Sequence, residues 1–346
     1  MTRRAIVFFN LGGPDRPDAI NPFLYNLFSD RAIIDLPRIF RLPLAKLISN
    51  RRKKRAKAIY SQIGGQSPIL EFTRNQAAAL EASLMKESFT DEYRVFICMR
   101  YWHPRSTKAV MQVKIYDPDE VLLLPLYPQF STTTTGSSFK DWNQVALSKG
   151  LQKPTYLICC YPSQKYWAEA QANLLNDELK KVPNKEKVRV LFSAHGLPKK
   201  IIDCGDPYQW QVEQSAQAIV AAAKLPNDTW KICYQSRVGP MEWIGPSLEN
   251  TLKAAAEDGM NVVILPIAFV SEHSETLVEL DIEFKKLAKS LGISVYQRVP
   301  ALGTHQKFIE GLKNLTIAAF EQKVKIGPIG ERHECPAKYE QCPCNL

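Results

Sequence analysis

Residues 262–283 lead from an apolar run, Val262-Val263-Ile264-Leu265-Pro266-Ile267, into an acidic segment, Phe269-Val270-Ser271-Glu272-His273-Ser274-Glu275-Thr276-Leu277-Val278-Glu279-Leu280-Asp281-Ile282-Glu283. The apolar run is short and rich in β-branched residues, which predicts a buried strand. The acidic segment has helical spacing, because its apolar residues continue in one stripe: Leu277, Leu280, Phe284 and Leu287. A buried strand followed by an amphipathic helix is the repeating unit of a parallel sheet covered by helices.

The same alternation of apolar runs and helix-length segments extends along the chain. The runs predicted as strands are 5–10, 93–99, 121–126, 155–160, 188–193, 230–234, 262–270 and 294–299. Helices are predicted between them, including 71–86, 166–181, 209–224 and 248–258. This pattern predicts an α/β fold of two doubly wound domains with parallel sheets around an interdomain cleft. We expect one domain over 1–149, a second over 150–304, a helix over 305–324 that packs back on the first domain, and a tail over 325–346.

The composition is that of a folded globular protein. A chain of 346 residues with 45% hydrophobic content can form two domains, each with its own core. The net charge of +10 suggests an anionic partner, either nucleic acid, acidic lipid headgroups or a small carboxylate ligand. Basic and aromatic residues are not interleaved over long stretches, so we expect no nucleic acid partner. No apolar stretch reaches the roughly 18 residues of a spanning helix, which predicts a cytoplasmic protein or one bound to a membrane from one side.

The acidic segment and one histidine are the candidate chemical groups. Glu275, Glu279 and Glu283 recur every four residues and would stack along one side of a helix. Like charges at this spacing disfavour a helix, so they indicate a path for protons or metal ions, against the alternative of a solvated helix face. His195 ends another apolar run, and Gly196 lets the backbone turn sharply after it. An imidazole opposite carboxylates can accept protons and bind a divalent cation.

A second candidate surface follows the first predicted strand. Bulky apolar residues fill 23–44, and the basic run Arg51-Arg52-Lys53-Lys54-Arg55 comes soon after. One interpretation is a buried helix pair with one solvated face. The other is a lip that enters a membrane interface while its cations meet acidic headgroups. Such a lip would also hold a flat apolar ligand that carries carboxylates.

The cysteines fall into two groups. Cys98, Cys159, Cys204 and Cys233 lie in or near predicted elements, where free cysteine commonly behaves as a small buried hydrophobe. Cys335, Cys342 and Cys344 instead cluster in a polar tail. Three sulfurs this close in sequence suggest a metal site.

Seven motifs taken together resemble the ferrochelatase family, enzymes that insert ferrous iron into a porphyrin. They occur in the family's order: Asn10-Leu11-Gly12-Gly13-Pro14, Ile63-Gly64-Gly65-Gln66-Ser67-Pro68, Arg100-Tyr101-Trp102-His103-Pro104, Tyr127-Pro128-Gln129-Phe130-Ser131, Ser193-Ala194-His195-Gly196-Leu197-Pro198, Tyr234-Gln235-Ser236-Arg237-Val238-Gly239-Pro240 and the acidic segment. The resemblance implies two Rossmann-like, chelatase-like domains around a porphyrin cleft. It assigns His195 and Glu275 to catalysis and to the Fe²⁺ substrate, with Glu279 and Glu283 as a conduit.

The same resemblance implies a porphyrin-binding set. Arg52, Tyr60 and Ser67 match positions that hold the propionates, consistent with a charge-assisted fork to a carboxylate. The family pattern also places three residues along the porphyrin: Leu11, Tyr127 and Trp243.

The tail resembles that of bacterial ferrochelatases with a [2Fe-2S] cluster. Cys335, Cys342 and Cys344 would supply three ligands, and the cysteine before Tyr161-Pro162, which is Cys160, would supply the fourth. Cys159 is the alternative fourth ligand. A zinc site and a reduced tail without metal are the competing interpretations.

We therefore expect a lyase that inserts Fe²⁺ into protoporphyrin IX and releases two protons, the last step of haem biosynthesis. The expected location is the cytoplasm, with peripheral attachment to the inner face of the cytoplasmic membrane, and a homodimer is compatible with it. The alternatives are a chelatase for coproporphyrin or another tetrapyrrole, and a tetrapyrrole or metal carrier without catalysis.

Overall fold

The structure, a computed structural model, describes residues 2–87, 91–183, 187–237, 239, 241–323, 326–327 and 335–344. The chain divides into two compact units. Unit 1 comprises Met1–Cys160 with Leu312–Arg332, and unit 2 comprises Tyr161–Gly311 with His333–Leu346. Of the predicted tail, residues 326–327 and 335–344 are described, and the rest lies outside the described residues.

Strands and helices alternate along the described chain. The strands are β1 (Thr2–Asn10), β2 (Asp91–Met99), β3 (Glu120–Pro125), β4 (Thr155–Ile158), β5 (Val188–His195), β6 (Trp230–Gln235), β7 (Asn261–Pro266), β8 (Tyr296–Arg298) and β9 (Ile326–Gly327). The α-helices are α1 (Ile20–Phe28), α2 (Arg38–Ser61), α3 (Ile69–Met85), α4 (Ser106–Tyr116), α5 (Ser137–Ser148), α6 (Lys165–Lys180), α7 (Lys199–Asp203), α8 (Tyr208–Ala223), α9 (Leu248–Glu257), α10 (Lys285–Ser290) and α11 (Gln306–Gln322). Two segments are π-helices, π1 (Thr132–Gly136) and π2 (Glu275–Phe284).

Unit 1 is built on a parallel sheet with the strand order β2-β1-β3-β4-β9. The interior strand β1 is buried from Ala5 to Asn10, as expected of a strand covered on both faces. On one face, Phe9 packs in a core with Val110 of α4 and Trp142 of α5. A separate apolar cluster is formed mainly by α1 and α2 with the segment after β2: Ala19, Ile20, Phe23, Leu24, Tyr60, Tyr101 and Trp102.

Unit 2 is built on a second parallel sheet, with the order β6-β5-β7-β8. Its core brings Leu191 of β5 and Ile264 of β7 against Leu252 of α9 and Leu280 of π2. Because β6 and β7 flank β5 on opposite sides, the connections diverge at the carboxyl end of β5. In an open parallel sheet this point of divergence is where ligands bind.

The predicted alternation and parallel sheets are confirmed, and three details differ. The strand 155–158 pairs with β3, so the first unit extends to Cys160 rather than 149. Helix α11 belongs to unit 2 up to Gly311 and to unit 1 from Leu312, where Phe320 contacts the ring of Tyr93. The acidic segment is a π-helix rather than an α-helix, with hydrogen bonds that span five residues instead of four.

No helix in the described part of the chain is both long enough and apolar enough to cross a bilayer.

Candidate active site

The site in unit 2 is assembled where three chain segments leave the sheet. His195 is the last residue of β5, and it pairs in register with Gln235, the last residue of β6. Strand β7 leads into π2, whose first residue is Glu275. The sheet topology therefore brings together an imidazole, an amide and a carboxylate that are far apart in sequence.

Gly196 lets two segments approach closely behind His195. A Cβ at this position would lie 2.9 Å from the Gln235 carbonyl oxygen and 3.3 Å from the Trp243 ring. The Gly196 amide donates to that same carbonyl at 2.8 Å. Sequence reasoning assigned Gly196 to a sharp turn, but its φ is not positive, so the requirement comes from close approach. The Trp243 ring therefore lies against Gly196, the residue that follows His195.

His195 and Glu275 form the central pair of the site. His195 Nδ1 lies 2.8 Å from Glu275 Oε2. Burial alone would lower the pKa of His195, but the charge and hydrogen bond of Glu275 outweigh it and the pKa is raised. Burial would raise the pKa of Glu275, but the contact with His195 lowers it to about 2. With Nδ1 bound to a carboxylate, Nε2 is the ring nitrogen that can accept a proton.

Glu279 lies directly behind this pair and is held by two residues from the end of β6. Ser236 donates to it through its backbone N–H at 2.8 Å and its hydroxyl at 2.5 Å, and Gln235 Nε2 donates at 3.2 Å. Burial and the nearby charge of Glu275 raise the pKa of Glu279. The Ser236 hydroxyl is also 3.4 Å from Glu275 Oε2, so it lies between the two carboxylates.

Ser236 adopts a backbone conformation that serine rarely takes. Its φ is +63°, in the left-handed region that favours glycine. This conformation directs both the N–H and the hydroxyl of Ser236 at Glu279. Strained backbone of this kind concentrates at functional sites. In the sequence, Gln235 and Ser236 belong to one of the seven motifs, but the predicted site residues do not include them.

A second histidine, His273, orients Glu275. Its Nδ1 accepts the Glu275 backbone N–H at 2.9 Å, and its ring meets Phe269 edge-on at 4.4 Å. Burial lowers the pKa of His273, which favours the neutral ring. An accepting Nδ1 places the proton of the neutral ring on Nε2. Sequence reasoning missed this role, although the histidine lies two residues before Glu275.

The remaining carboxylates of the acidic segment point elsewhere. Glu272 and Asp281 both bind Arg298 of β8, at 2.8 Å and 2.7 Å. Glu283 is exposed. Of the carboxylates in this segment, only Glu275 and Glu279 therefore face His195. Glu283, the third glutamate of the predicted row, lies at the surface.

The porphyrin residues predicted in unit 1 fall into two groups. Leu11 and Tyr60 pack in the apolar cluster of α1 and α2. Ser67 donates its backbone N–H to Pro14 at 2.7 Å, in the loop that follows Leu11. Tyr127 instead packs against the core beside β1 and α4.

Arg52 is a half-buried cation above the Phe28 ring, 5.3 Å from the ring centroid. Burial and the neighbouring charge of Arg55 lower the pKa of Arg52. No carboxylate of the described residues forms an ion pair with it. A cation in this setting can bind an anionic ligand group.

The tail cysteines are neighbours in unit 2. Cys335 and Cys342 are buried, and Cys344 is half-buried. Cys342 is hydrogen-bonded to Cys335 and to Cys344. The contact with Cys335 lowers the pKa of Cys342, but the contact with Cys344 and burial raise this pKa, to about 11. At the end of unit 1, the sulfurs of Cys159 and Cys160 are 3.4 Å apart and buried.

These sulfurs suit an iron–sulfur cluster by their chemistry, since thiolates are its usual ligands. Among the described residues, no three His, Cys, Asp or Glu side chains are gathered as ligands of a single metal ion.

Similarity to known proteins identifies the family of this chain. The ferrochelatase family profile matches residues 3–319. A ferrochelatase of Pelagibacter ubique is 47% identical over 342 residues, which cover 99% of this chain and 98% of that protein. A ferrochelatase of Phenylobacterium zucineum is 49% identical over 98% of this chain and 97% of its own. A solved structure of SirB from Bacillus subtilis with Fe³⁺ has the same fold, with a TM-score of 0.52 at 13% identity over 94% of this chain and 99% of that one. The chain belongs to the ferrochelatase family.

Proposed function

We propose that this protein inserts Fe²⁺ into protoporphyrin IX to form protohaem and releases two protons, as the last step of haem biosynthesis. The observation that carries the proposal is the 2.8 Å contact between His195 Nδ1 and Glu275 Oε2, with Glu279 behind it. Metal insertion needs a base and an anionic metal ligand at one place. His195 supplies the first and Glu275 the second.

The reaction exchanges two pyrrole protons for one divalent ion. His195 accepts a pyrrole proton at Nε2, because Nδ1 is already engaged by Glu275. The Glu275 carboxylate binds Fe²⁺ while the ion loses its water shell. One pyrrole proton goes to His195 and the other to solvent, and the four porphyrin nitrogens then bind the iron, so charge and atoms balance.

Glu279 and Glu283 form the proposed conduit. Glu279 has a raised pKa and shares the Ser236 hydroxyl with Glu275. It can therefore accept a proton or a cation from the His195–Glu275 pair. Glu283 is exposed to solvent. The conduit therefore has one end at the reacting pair and the other at the surface, as transport of either protons or iron requires.

Porphyrin binding is proposed for residues of both units. Arg52, a half-buried cation above the Phe28 ring, would bind a propionate, and the hydroxyls of Tyr60 and Ser67 would donate to the same groups. In unit 2, Trp243 packs over Gly196 beside His195 and would contact the ring. Leu11 and Tyr127 would add apolar contacts.

The experiment is an anaerobic insertion assay with the purified protein, Fe²⁺ and two porphyrins. We expect metalloporphyrin absorbance with protoporphyrin IX and a lower kcat/KM with coproporphyrin, which carries four propionates instead of two. Faster turnover of coproporphyrin would show that coproporphyrin, and not protoporphyrin IX, is the preferred substrate. Tight porphyrin binding without any metalloporphyrin would indicate a carrier and contradict the proposal.

We also propose a [2Fe-2S] cluster bound by Cys160, Cys335, Cys342 and Cys344. The support is the hydrogen bonding that links Cys335 to Cys342 and Cys342 to Cys344. Such a cluster supplies one-electron chemistry when bound. Gln211 Nε2 donates to Cys335 at 3.3 Å, and hydrogen bonds to ligand sulfur tune a cluster's potential.

Peripheral attachment to the inner face of the cytoplasmic membrane is proposed for the start of α2. Ile39 and Phe40 are 74% and 62% exposed, and Arg38 and Arg41 flank them. Exposed apolar residues beside cations fit an anionic bilayer surface. Co-sedimentation with vesicles that contain acidic lipid should decrease in the variant Phe40→Glu, and equal sedimentation would contradict attachment here. A homodimer stays a prediction.

A further inference from the structure

Helix π2 is unusually long for its type. Its ten residues, Glu275–Phe284, keep π geometry, whereas π-helices in proteins are mostly single turns. The chain returns to α geometry immediately afterwards, in α10. A long π segment next to an α-helix needs contacts from outside the helix to keep its register.

Those contacts come from β8, principally from Arg298. Its Nε and Nη2 donate to the two carboxylate oxygens of Asp281 at 2.7 and 2.8 Å. Its Nη1 donates to Glu272 Oε1 at 2.8 Å. The side chains of Arg298 and Glu272 are each only 10% exposed, so this pair is weakly screened by water. The fork to Asp281 also fixes geometry, because both oxygens are engaged.

The anchors of Arg298 lie on either side of the reacting carboxylates. Glu272 precedes Glu275, and Asp281 follows Glu279. Tyr296 of β8 adds a further contact, since its hydroxyl donates to the Leu280 carbonyl at 2.9 Å. Strand β8 therefore holds the segment before and after the two glutamates that face His195.

Glu272 is itself fixed at both oxygens. Oε1 accepts the Ala301 backbone N–H at 2.9 Å in addition to Arg298, and Oε2 accepts the Thr276 hydroxyl. Thr276 belongs to the first turn of π2, beside Glu275. The position of Arg298 is thus transmitted through Glu272 to the start of the helix.

We infer that Arg298 is a positioning residue that holds π2 in its register, and so holds Glu275 against His195 and Glu279 against Ser236. It also engages Glu272 and Asp281, which keeps these two carboxylates from competing for the metal. The effect on iron rests on the proposed function. The effect on the helix rests only on the contacts described.

The first test measures the helix without any substrate. Amide hydrogen exchange of 275–284 should accelerate by about tenfold or more in Arg298→Met and by less in Arg298→Lys, which keeps the charge but loses the fork. Arg189→Met is the matched control, because Arg189 of β5 is 14% exposed and donates to Asp258 at 2.6 Å in the same unit. It should leave exchange of 275–284 unchanged. Unchanged exchange in both Arg298 variants, or equal acceleration in the control, would overturn the inference.

The second test measures iron use. In Arg298→Lys, a small displacement of the Glu275 carboxylate should raise the KM for Fe²⁺ by roughly 10- to 100-fold. The KM for porphyrin should stay within about twofold. Asp281→Asn should reproduce part of this effect. A rise in both KM values that merely follows the loss of thermal stability would indicate a structural role only. If the wild-type protein inserts no metal, the proposed function fails, and the exchange result still decides the role of Arg298.

Discussion

At the scale of single residues, the two histidines that contact Glu275 have pKa values shifted in opposite directions. Burial favours the neutral form of an imidazole, because the charged form loses its water. At His273 burial prevails and the pKa is lowered below its ordinary value of 6.5. At His195 the charge of Glu275 prevails and the pKa is raised above that value. One ring is thereby kept neutral to orient Glu275, while the other can take up a proton.

Replacing Glu275 by glutamine should lower the pKa of His195. The neutral amide removes the charge that raises this pKa and leaves burial, which lowers it. In the wild type, the stability that His195 contributes is fully present below pH 6.5, the ordinary pKa of histidine. This stability is lost as the pH rises through the higher pKa of His195 in the folded protein. An NMR titration of the ring, assigned with His195→Ala, measures the shift. An unchanged or higher pKa in Glu275→Gln would contradict the electrostatic account.

The strained backbone of Ser236 predicts an order of stability among its variants. Ser236→Ala loses the hydroxyl donated to Glu279 but keeps the left-handed φ of +63°. Ser236→Gly loses the same hydroxyl but relieves the strain, which is worth about 1 kcal/mol. Chemical denaturation should therefore show both variants below wild type, with glycine more stable than alanine. Alanine equal to or above glycine would mean that the conformation carries no strain.

At the scale of elements, close approach at the end of β5 makes a sharp prediction. Gly196→Ala places a Cβ 2.9 Å from the Gln235 carbonyl oxygen, and backbone cannot yield as a flexible side chain would. We expect a loss of roughly 1–3 kcal/mol in unfolding free energy, typical of overpacking. Activity should fall as well, because His195 precedes the displaced residue.

Gly245→Ala is the control for that measurement, since its Cβ would meet nothing closer than 3.8 Å. It should change the unfolding midpoint little. Equal midpoints for the two variants would show that β5 and β6 can separate without cost.

The elements could be predicted from the sequence more fully than the site. Apolar runs identify strands because burial on both faces of a parallel sheet requires them. The π-helix could not be predicted, because acidic residues spaced four apart suit an α-helix and a π-helix alike. The ion pairs of Arg298 with Glu272 and Asp281 could not be predicted either, because these residues lie outside the strand that carries Arg298.

In the sequence, Gln235 and Ser236 are recognisable only as part of a family motif. Their contact with Glu279 depends on the register of β5 with β6, which no local pattern encodes. The polar pair at the end of an apolar run was the signal that could have found them.

At the scale of the whole molecule, the proposed cluster makes a prediction about which cysteines matter. Protein from iron-replete cells should be red-brown, with visible absorption that bleaches on reduction and iron and sulfide in equal amounts. Cys160→Ser should lose the colour, and Cys159→Ser should keep it. Colour that survives in Cys160→Ser but not in Cys159→Ser would exchange the two ligand assignments. A colourless wild-type protein without bound sulfide would rule the cluster out.

The central claim is that His195 serves as the base in metal insertion. It is tested most directly by mixing the purified protein anaerobically with Fe²⁺ and protoporphyrin IX and following metalloporphyrin absorbance, with His195→Ala in parallel and porphyrin affinity measured for both. We predict turnover by the wild type and a loss of roughly 10²- to 10⁴-fold in the variant, as expected for removal of a general base. Porphyrin affinity and the unfolding midpoint should be nearly equal for the two proteins. Equal turnover by both, or tight porphyrin binding by a wild type that forms no metalloporphyrin, would contradict the claim.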